Sequence, residues 1–293
     1  MPGFENIRAW ADSATDDGKN WISTFRKVPA VTTIAGQWFD YSGAAGNPVP
    51  NYFASSPLTA AVLDGDKGIY PGPNVSPARK FVHRVTAMSG AASATGTTNQ
   101  NQPMFLCDYL LYYPVIDMDA AGEDQGLDNT VTLPRFSDGA GVQMTLIAQA
   151  STIGGGRFTV TYTNSAGVAG QVTPNHFCAA AQPSGAFVQA TSNAAGVQPF
   201  ISLASGDVGV RSVQSVNFSI ANGGLAVLLL CKPMGTLHVA EECRRTTTGT
   251  LESFGSPVER ESIVGRPGAA EIKDGAFLSF IAQSVAGTLA ASQ

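Results

Sequence analysis

Along most of this chain the apolar positions alternate instead of recurring every three or four residues. Over Arg157–Thr163, Phe158, Val160 and Tyr162 fall on one side and Arg157, Thr159 and Thr161 on the other, the two-residue period of a half-buried strand. Asn164-Ser165-Ala166-Gly167 then reads as a turn into Val168, Gly170 and Val172, which predicts a hairpin. Val142, Met144, Leu146 and Ala148 make a second period-two face, and Val216, Phe218 and Ile220 a third. After Asn222-Gly223-Gly224, the run Leu225–Leu230 is apolar throughout, as expected of a strand buried on both faces. Short strands punctuated by Gly, Pro and Asn predict an all-β body over residues 30–293, a β-sandwich or jelly-roll-like fold with a possible subdivision near 125–130.

Residues 1–29 carry a different pattern. Ile7, Trp10, Ala11 and Ala14 recur at helical spacing, as do Trp21, Phe25 and Val28, and Asp16-Asp17-Gly18 lies between the two sets as a stop and a cap. This predicts a short helical N-terminal arm. It either packs on its own core or docks on a neighbouring subunit, with Trp10, Trp21 and Phe25 as anchors. Tyr41–Phe53 and Gly68–Pro77 read as long ordered loops, and Ser89–Pro103, small and polar, as an exposed one. One phrase recurs. Asp138-Gly139-Ala140 precedes Ile147-Ala148-Gln149, and Asp274-Gly275-Ala276 precedes Ile281-Ala282-Gln283. The two spacings differ by two residues, which preserves strand register.

Composition narrows the function classes. Lys and Arg number 17 and Asp and Glu 22, 13% of 293 residues, about half the usual share, so the inventory for acid–base chemistry is thin. A net charge of −5 without clustered basic residues argues against nucleic acid, and no apolar run is long enough for a membrane span. No secretory leader pattern precedes the body, which points to folding in a cytoplasm. Cys107, Cys178 and Cys231 lie in or beside apolar stretches and read, with Cys243, as reduced structural thiols.

The candidate chemistry is sparse. Asp117, Asp119 and Asp128 fall at positions 1, 3 and 12 of a calcium-loop template, with Gly122 at position 6. Position 5 is Ala121 and no helical pattern flanks the loop, so a solvated acidic turn is the better reading. Cys231, His238 and Cys243 are too widely spaced for a zinc site, and His176 beside Cys178 reads as structural. Gly154-Gly155-Gly156 precedes a strand and reads as hairpin glycines, not a phosphate cradle. Glu241, Glu242, Glu259 and Glu261 are formal glycosidase carboxylates that sit beside arginines, where surface ion pairing is favoured. Trp38, Phe39, Tyr41 and Tyr52 are loop aromatics of a kind that stacks on sugars but, beside a β core, more often serves packing. No cofactor is expected.

Several phrases resemble virion structural proteins of tailed bacteriophages. They are LCDYLLYYPVIDMD from Leu106, LDNTVTLPRFSDGAGVQMTLIAQ from Leu127, GIYPGPNVSPARKFVH from Gly68, PFISLASGDVGVRSVQSVNF from Pro199 and KDGAFLSFIAQ from Lys273. The resemblance spans most of residues 50–285 and implies a class, without a residue-level site. It implies a non-enzymatic virion component assembled in the host cytoplasm, most naturally a capsid decoration or minor capsid protein. Such a protein binds the major capsid protein or other virion subunits and forms homo-oligomers. The alternative is a tail- or fibre-associated carbohydrate-binding module with Trp38 and Tyr52 as its stacking surface.

Overall fold

The computed structural model describes residues 21–28, 31, 36–82, 84–87, 101–190, 199–240, 260–263 and 270–283. From the N-terminal side, β1 (Arg26–Val28), β2 (Trp38–Asp40), β3 (Ala45–Asn47), β4 (Ala61–Val62), β5 (Lys80–Phe81) and β6 (Arg84–Ala87) precede the long β7 (Asn101–Asp117). There follow β8 (Asp124–Gly126), β9 (Gln143–Ala148), β10 (Arg157–Asn164), β11 (Gln171–Val172), β12 (His176–Cys178) and β13 (Gln189–Ala190). β14 (Val210–Phe218), the long β15 (Leu225–Ala240), β16 (Arg260–Ile263), β17 (Glu271–Ile272) and β18 (Phe277–Gln283) complete the order. The fold is all-β and its strand pairs are antiparallel.

Two six-stranded sheets make the body. The first runs β2-β18-β7-β15-β9 with β4 added to β7, and the second runs β13-β12-β10-β14-β8 with β11 added to β10. The first sheet curls until its edges β2 and β9 share one segment. Asp40 N donates to Gly185 O and Phe187 N to Trp38 O on one side, and Ala148 N to Ala186 O and Val188 N to Leu146 O on the other, all at 2.8–2.9 Å. The ring encloses Trp38, Cys107, Tyr109, Ile147, Phe187, Val227, Leu229, Cys231, Phe277 and Ile281. Its outer face packs on the second sheet, where Leu110, Tyr113, Met144 and Leu146 meet Phe158, Val160, Tyr162, Val213, Val216 and Phe218.

This geometry explains the continuous apolar run. In β15, Ala226, Leu228 and Leu230 face the second sheet while Val227, Leu229 and Cys231 face the interior of the ring, so no position is left for a polar residue. The predicted hairpin is present as β10 and β11, with Tyr162 opposite Gln171. Leu127 belongs to the shared core, so that core runs across residues 125–130. The recurring phrase is also a structural repeat. Its two strands, β9 and β18, flank the β15–β7 pair on opposite sides, and Gly139 and Gly275 have φ of 71° and 70° in the turns before them.

Three sequence expectations need correction. Trp21, Phe25 and Val28 do not lie on a helix. Residues 21–25 run without regular structure, and Arg26–Val28 pair as β1 with β3. Burial alternates there, with Trp21, Ser23, Phe25 and Lys27 half-buried and Ile22, Thr24 and Arg26 exposed. The helical pattern at Ile7–Ala14, with Trp10, lies outside the described residues. Residues 101–103, read as the end of a loop, begin β7. Gly154–Gly156 join no hairpin. They carry the chain from the first sheet to the second, and Gly154 N and Gly156 N donate to Asn222.

One edge of β7 serves two partners, β18 along Met104–Tyr109 and β4 along Leu111–Tyr112. Arg135 fills the junction. Its Nε and Nη2 donate to the two Asp108 carboxylate oxygens at 2.9 and 2.8 Å, and Nη2 also reaches Leu63 O and Tyr109 O. Phe277 N completes the set on Asp108 Oδ1. Further along, Val115 has φ 59°, a left-handed conformation that a β-branched residue adopts only under constraint. Leu58 N donates to Pro114 O, and Val115 N donates to Gln149 Oε1 at 2.6 Å.

Removing one member of a buried, bidentate pair leaves the other charged and unpaired, which costs about 3–5 kcal/mol. Arg135→Ala is therefore expected to lower unfolding stability by about that amount, measured by urea denaturation, whereas Asp108→Leu/Arg135→Met recovers much of the loss. A single variant within about 1 kcal/mol of the parent would show that the junction does not depend on the pair.

Candidate functional site

The arm and the loops that hold it bring aromatic, hydroxyl, amide and ammonium groups together. Trp21 lies against Gly72, where a Cβ would occupy the space of the indole ring. Ser23 Oγ donates to Tyr70 O at 2.7 Å, and Asn47 Nδ2 donates to Thr24 O and Oγ1 at 3.1 Å. Phe25 meets the Phe280 ring edge-on at 5.1 Å and packs on two apolar clusters at once, the outer face of β18 and the Phe39–Tyr41 corner. Lys27 Nζ donates to Ser42 O, Ala44 O and Val49 O at 2.9–3.3 Å.

Beneath this seat lies Asp40, buried at the end of β2. Tyr109 OH and Ser42 N donate to its Oδ1 at 2.7 and 2.8 Å, and Ser42 Oγ donates to Oδ2. Burial pushes the Asp40 carboxyl up, against the pull of the Ser42 and Tyr109 donors and of the Lys27 charge. Burial likewise lowers Lys27, and the nearby Asp40 charge opposes it. A carboxylate on the turn before β18 behaves oppositely. Asp274 takes Lys80 Nζ at 3.0 Å and the N–H groups of Val75 and Ser76, and these donors, Lys80 first, hold it below the ordinary range.

The sequence-derived candidates are scattered. Trp21 and Phe25 sit on the chain's own body, and Trp10 lies outside the described residues. Trp38 is 3% exposed, with its ring 5.5 Å from Phe105, so as placed it presents no face to a sugar, which corrects its reading as a stacking residue. Tyr52 is 72% exposed and does present one. Asp117, Asp119 and Asp128 form no cage. Asp117 Oδ1 accepts Asp119 N, Asp119 Oδ1 accepts Gly223 N, and Asp128 lies beyond β8, its backbone paired with Leu58 and Ala60. Among the described residues no three His, Cys, Asp or Glu side chains converge to hold a metal.

Cys107, Cys178 and Cys231 are buried free thiols; burial raises Cys107 well above its ordinary value and Cys178 to about 12. His176 packs beside Phe158 at 5.5 Å, with Nε2 3.4 Å from Ser202 O. The side chains of Glu241, Glu242, Glu259, Glu261 and Cys243 lie outside the described residues.

Asp40, Lys27 and Tyr70 were missed by sequence reasoning. For Asp40 a signal existed: a single acid inside Trp38-Phe39-Asp40-Tyr41 must be buried with donors or break the strand. Compared with known protein families, with curated proteins and with solved structures, the chain gives no significant match.

The two carboxylates set opposite pH dependences. The folded pKa of Asp40 lies above its unfolded value near 3.9, so its contribution is complete below that value and is lost as pH rises through the folded pKa. Asp40→Asn is expected to flatten that decline. Asp274 is depressed, so its contribution is present above about 3.9 and is lost as pH falls through its folded pKa. Asp274→Asn is expected to remove the acid sensitivity. Urea unfolding of both variants across pH 2–7 checks the signs, and parallel shifts in the two would contradict them.

Proposed function

We propose that this chain is a non-enzymatic structural protein of a tailed-phage virion, most naturally a capsid decoration or minor capsid protein that binds neighbouring capsid subunits. A jelly-roll-like path is the finer form of the sandwich that this reading carries. The observation that supports it is how the buried and half-buried polar groups are used. Asp40, Lys80, Asp108, Arg135 and Asp207 all have their functional atoms engaged by strand ends, loops or one another. Such groups hold a scaffold rigid; they do not wait for a substrate. The low charge fits surfaces that become covered in an assembly, because charged residues are depleted at interface centres.

A second reading keeps one supporting observation. Tyr52 and Tyr70, 72% and 57% exposed, present aromatic rings on loops of the kind that stack on sugars. Quantitative mass spectrometry of purified particles tests the first reading. Copy numbers comparable to the major capsid protein place the chain in the shell, much lower ones in the neck, tail or fibre, and its absence from particles overturns the proposal. Glycan-array binding that is lost on Tyr52→Ala would move the conclusion to the carbohydrate module.

A further inference from the structure

Two thiols lie close together inside the ring. In the β15–β7 ladder Cys231 stands opposite Tyr109 and Cys107 opposite Pro233, so the cysteines are diagonal neighbours on one face of adjacent strands. Both belong to the cluster that fills the ring, and neither has exposed surface. They also act on each other. After burial, the largest cause, Cys231 raises the Cys107 thiol as a hydrogen-bond partner and as a second charge. Diagonal neighbours lie about 7–8 Å apart, with their Cβ atoms closer. Disulfides span Cα separations up to about 6.8 Å, so a shift of about 1 Å brings the pair into range. The ladder has room for it. Its register shifts between Leu230 and Cys231 and again between Pro233 and Gly235, and Pro233 has no N–H to lose from it. On the other flank of Cys107, Ser279 of β18 is buried with its hydroxyl unpartnered.

We propose that Cys107 and Cys231 are a disulfide-forming pair, reduced while the ring is closed and joined when a small-molecule disulfide such as oxidised glutathione reaches them. The thiolate is the attacking form, and burial keeps Cys107 protonated, so the closed ring is inert. Reaction follows opening of β18, whose residues 277–282 pair with the edge of β7 that carries Cys107. One cysteine thiolate attacks the glutathione disulfide, whose S–S bond breaks to release a glutathione thiolate. The second cysteine, as thiolate, attacks the mixed disulfide and releases the other. The two protons lost by the cysteines pass to the released glutathione thiolates, so two protein thiols are oxidised as one glutathione disulfide is reduced. The bond closes a long loop, because β8 to β14 all lie between Cys107 and Cys231 and include every strand of the second sheet. A cross-link restricts the unfolded chain more as the loop it closes lengthens, so this one staples the second sheet to the centre of the first.

The full chain is held in urea below its unfolding midpoint, so that the ring opens transiently, incubated with oxidised glutathione and blocked with iodoacetamide. Peptide mass spectrometry is expected to find Cys107 joined to Cys231. Once glutathione is removed, the linked form is expected to show an unfolding equilibrium constant at least about tenfold smaller than the reduced form, and reduction with dithiothreitol to restore the original value. Cys231→Ala is expected to lose both changes. Reduced thiols persisting at both positions overturn the pair, as do glutathione adducts there in place of a link, or a link to Cys178 or Cys243. A linked form no more stable than the reduced one overturns the staple. None of these outcomes depends on whether the chain belongs to a virion.

Discussion

The architecture depends on how one edge of β7 is shared. An antiparallel edge gives a regular row of donors and acceptors, and two strands cannot fill it end to end without a gap. Here β18 stops at Tyr109 and β4 starts at Leu111, and the guanidinium of Arg135 occupies the gap with donors for Asp108, Leu63 O and Tyr109 O. Without a rigid fork at that point, carbonyls would be buried unpaired at the centre of the molecule. With it, β18 is held against the ring on one side, and the loop that leads to β9 is tied to the other.

Closure of the ring accounts for most of the remaining organisation. Because β2 and β9 both pair with Gly185–Val188, the first sheet has few free edges, and its interior is filled by large side chains. The second sheet covers one outer face, and the arm with β5 and β17 covers another. Large polar side chains buried on either face of this sheet have partners, as Tyr109 does inside the ring with Asp40 and Tyr113 on the outer face with Asn129. Asp40, Asp108 and Arg135 thus serve as fasteners between strands, which is the basis of the structural reading proposed for the chain.

The body was legible in sequence wherever one face met water. Phe158, Val160 and Tyr162 alternate with threonines, and β10 lies where they predict. The apolar run from Leu225 was legible for the opposite reason, since burial on both faces leaves no alternation. The arm misled because a spacing of four fits two periods. Trp21 and Phe25 lie one helical turn apart, and they also lie on the same side of an extended chain. Pairing with β3 decided the matter, and that contact is remote in sequence. Trp38 and Tyr52 have similar surroundings in the sequence, yet one points into a ring whose closure joins residues almost 150 apart. Local pattern does not carry such information. It does carry a hint for Asp40 and Asp108, lone acids within apolar phrases.

Strand order also governs when the molecule becomes itself. β18, the last of the described strands, pairs with β2 near the start of the chain and with β7 in its middle. A nascent chain emerging from the ribosome therefore holds β2 and one edge of β7 without their partner until residues 277–283 have been made. Pairings this remote close slowly, because the entropy of the intervening loop is lost before any contact rewards it. Everything from β2 through residue 283 must be made before the ring can shut, so synthesis, not only stability, sets the moment at which this protein can take part in anything larger.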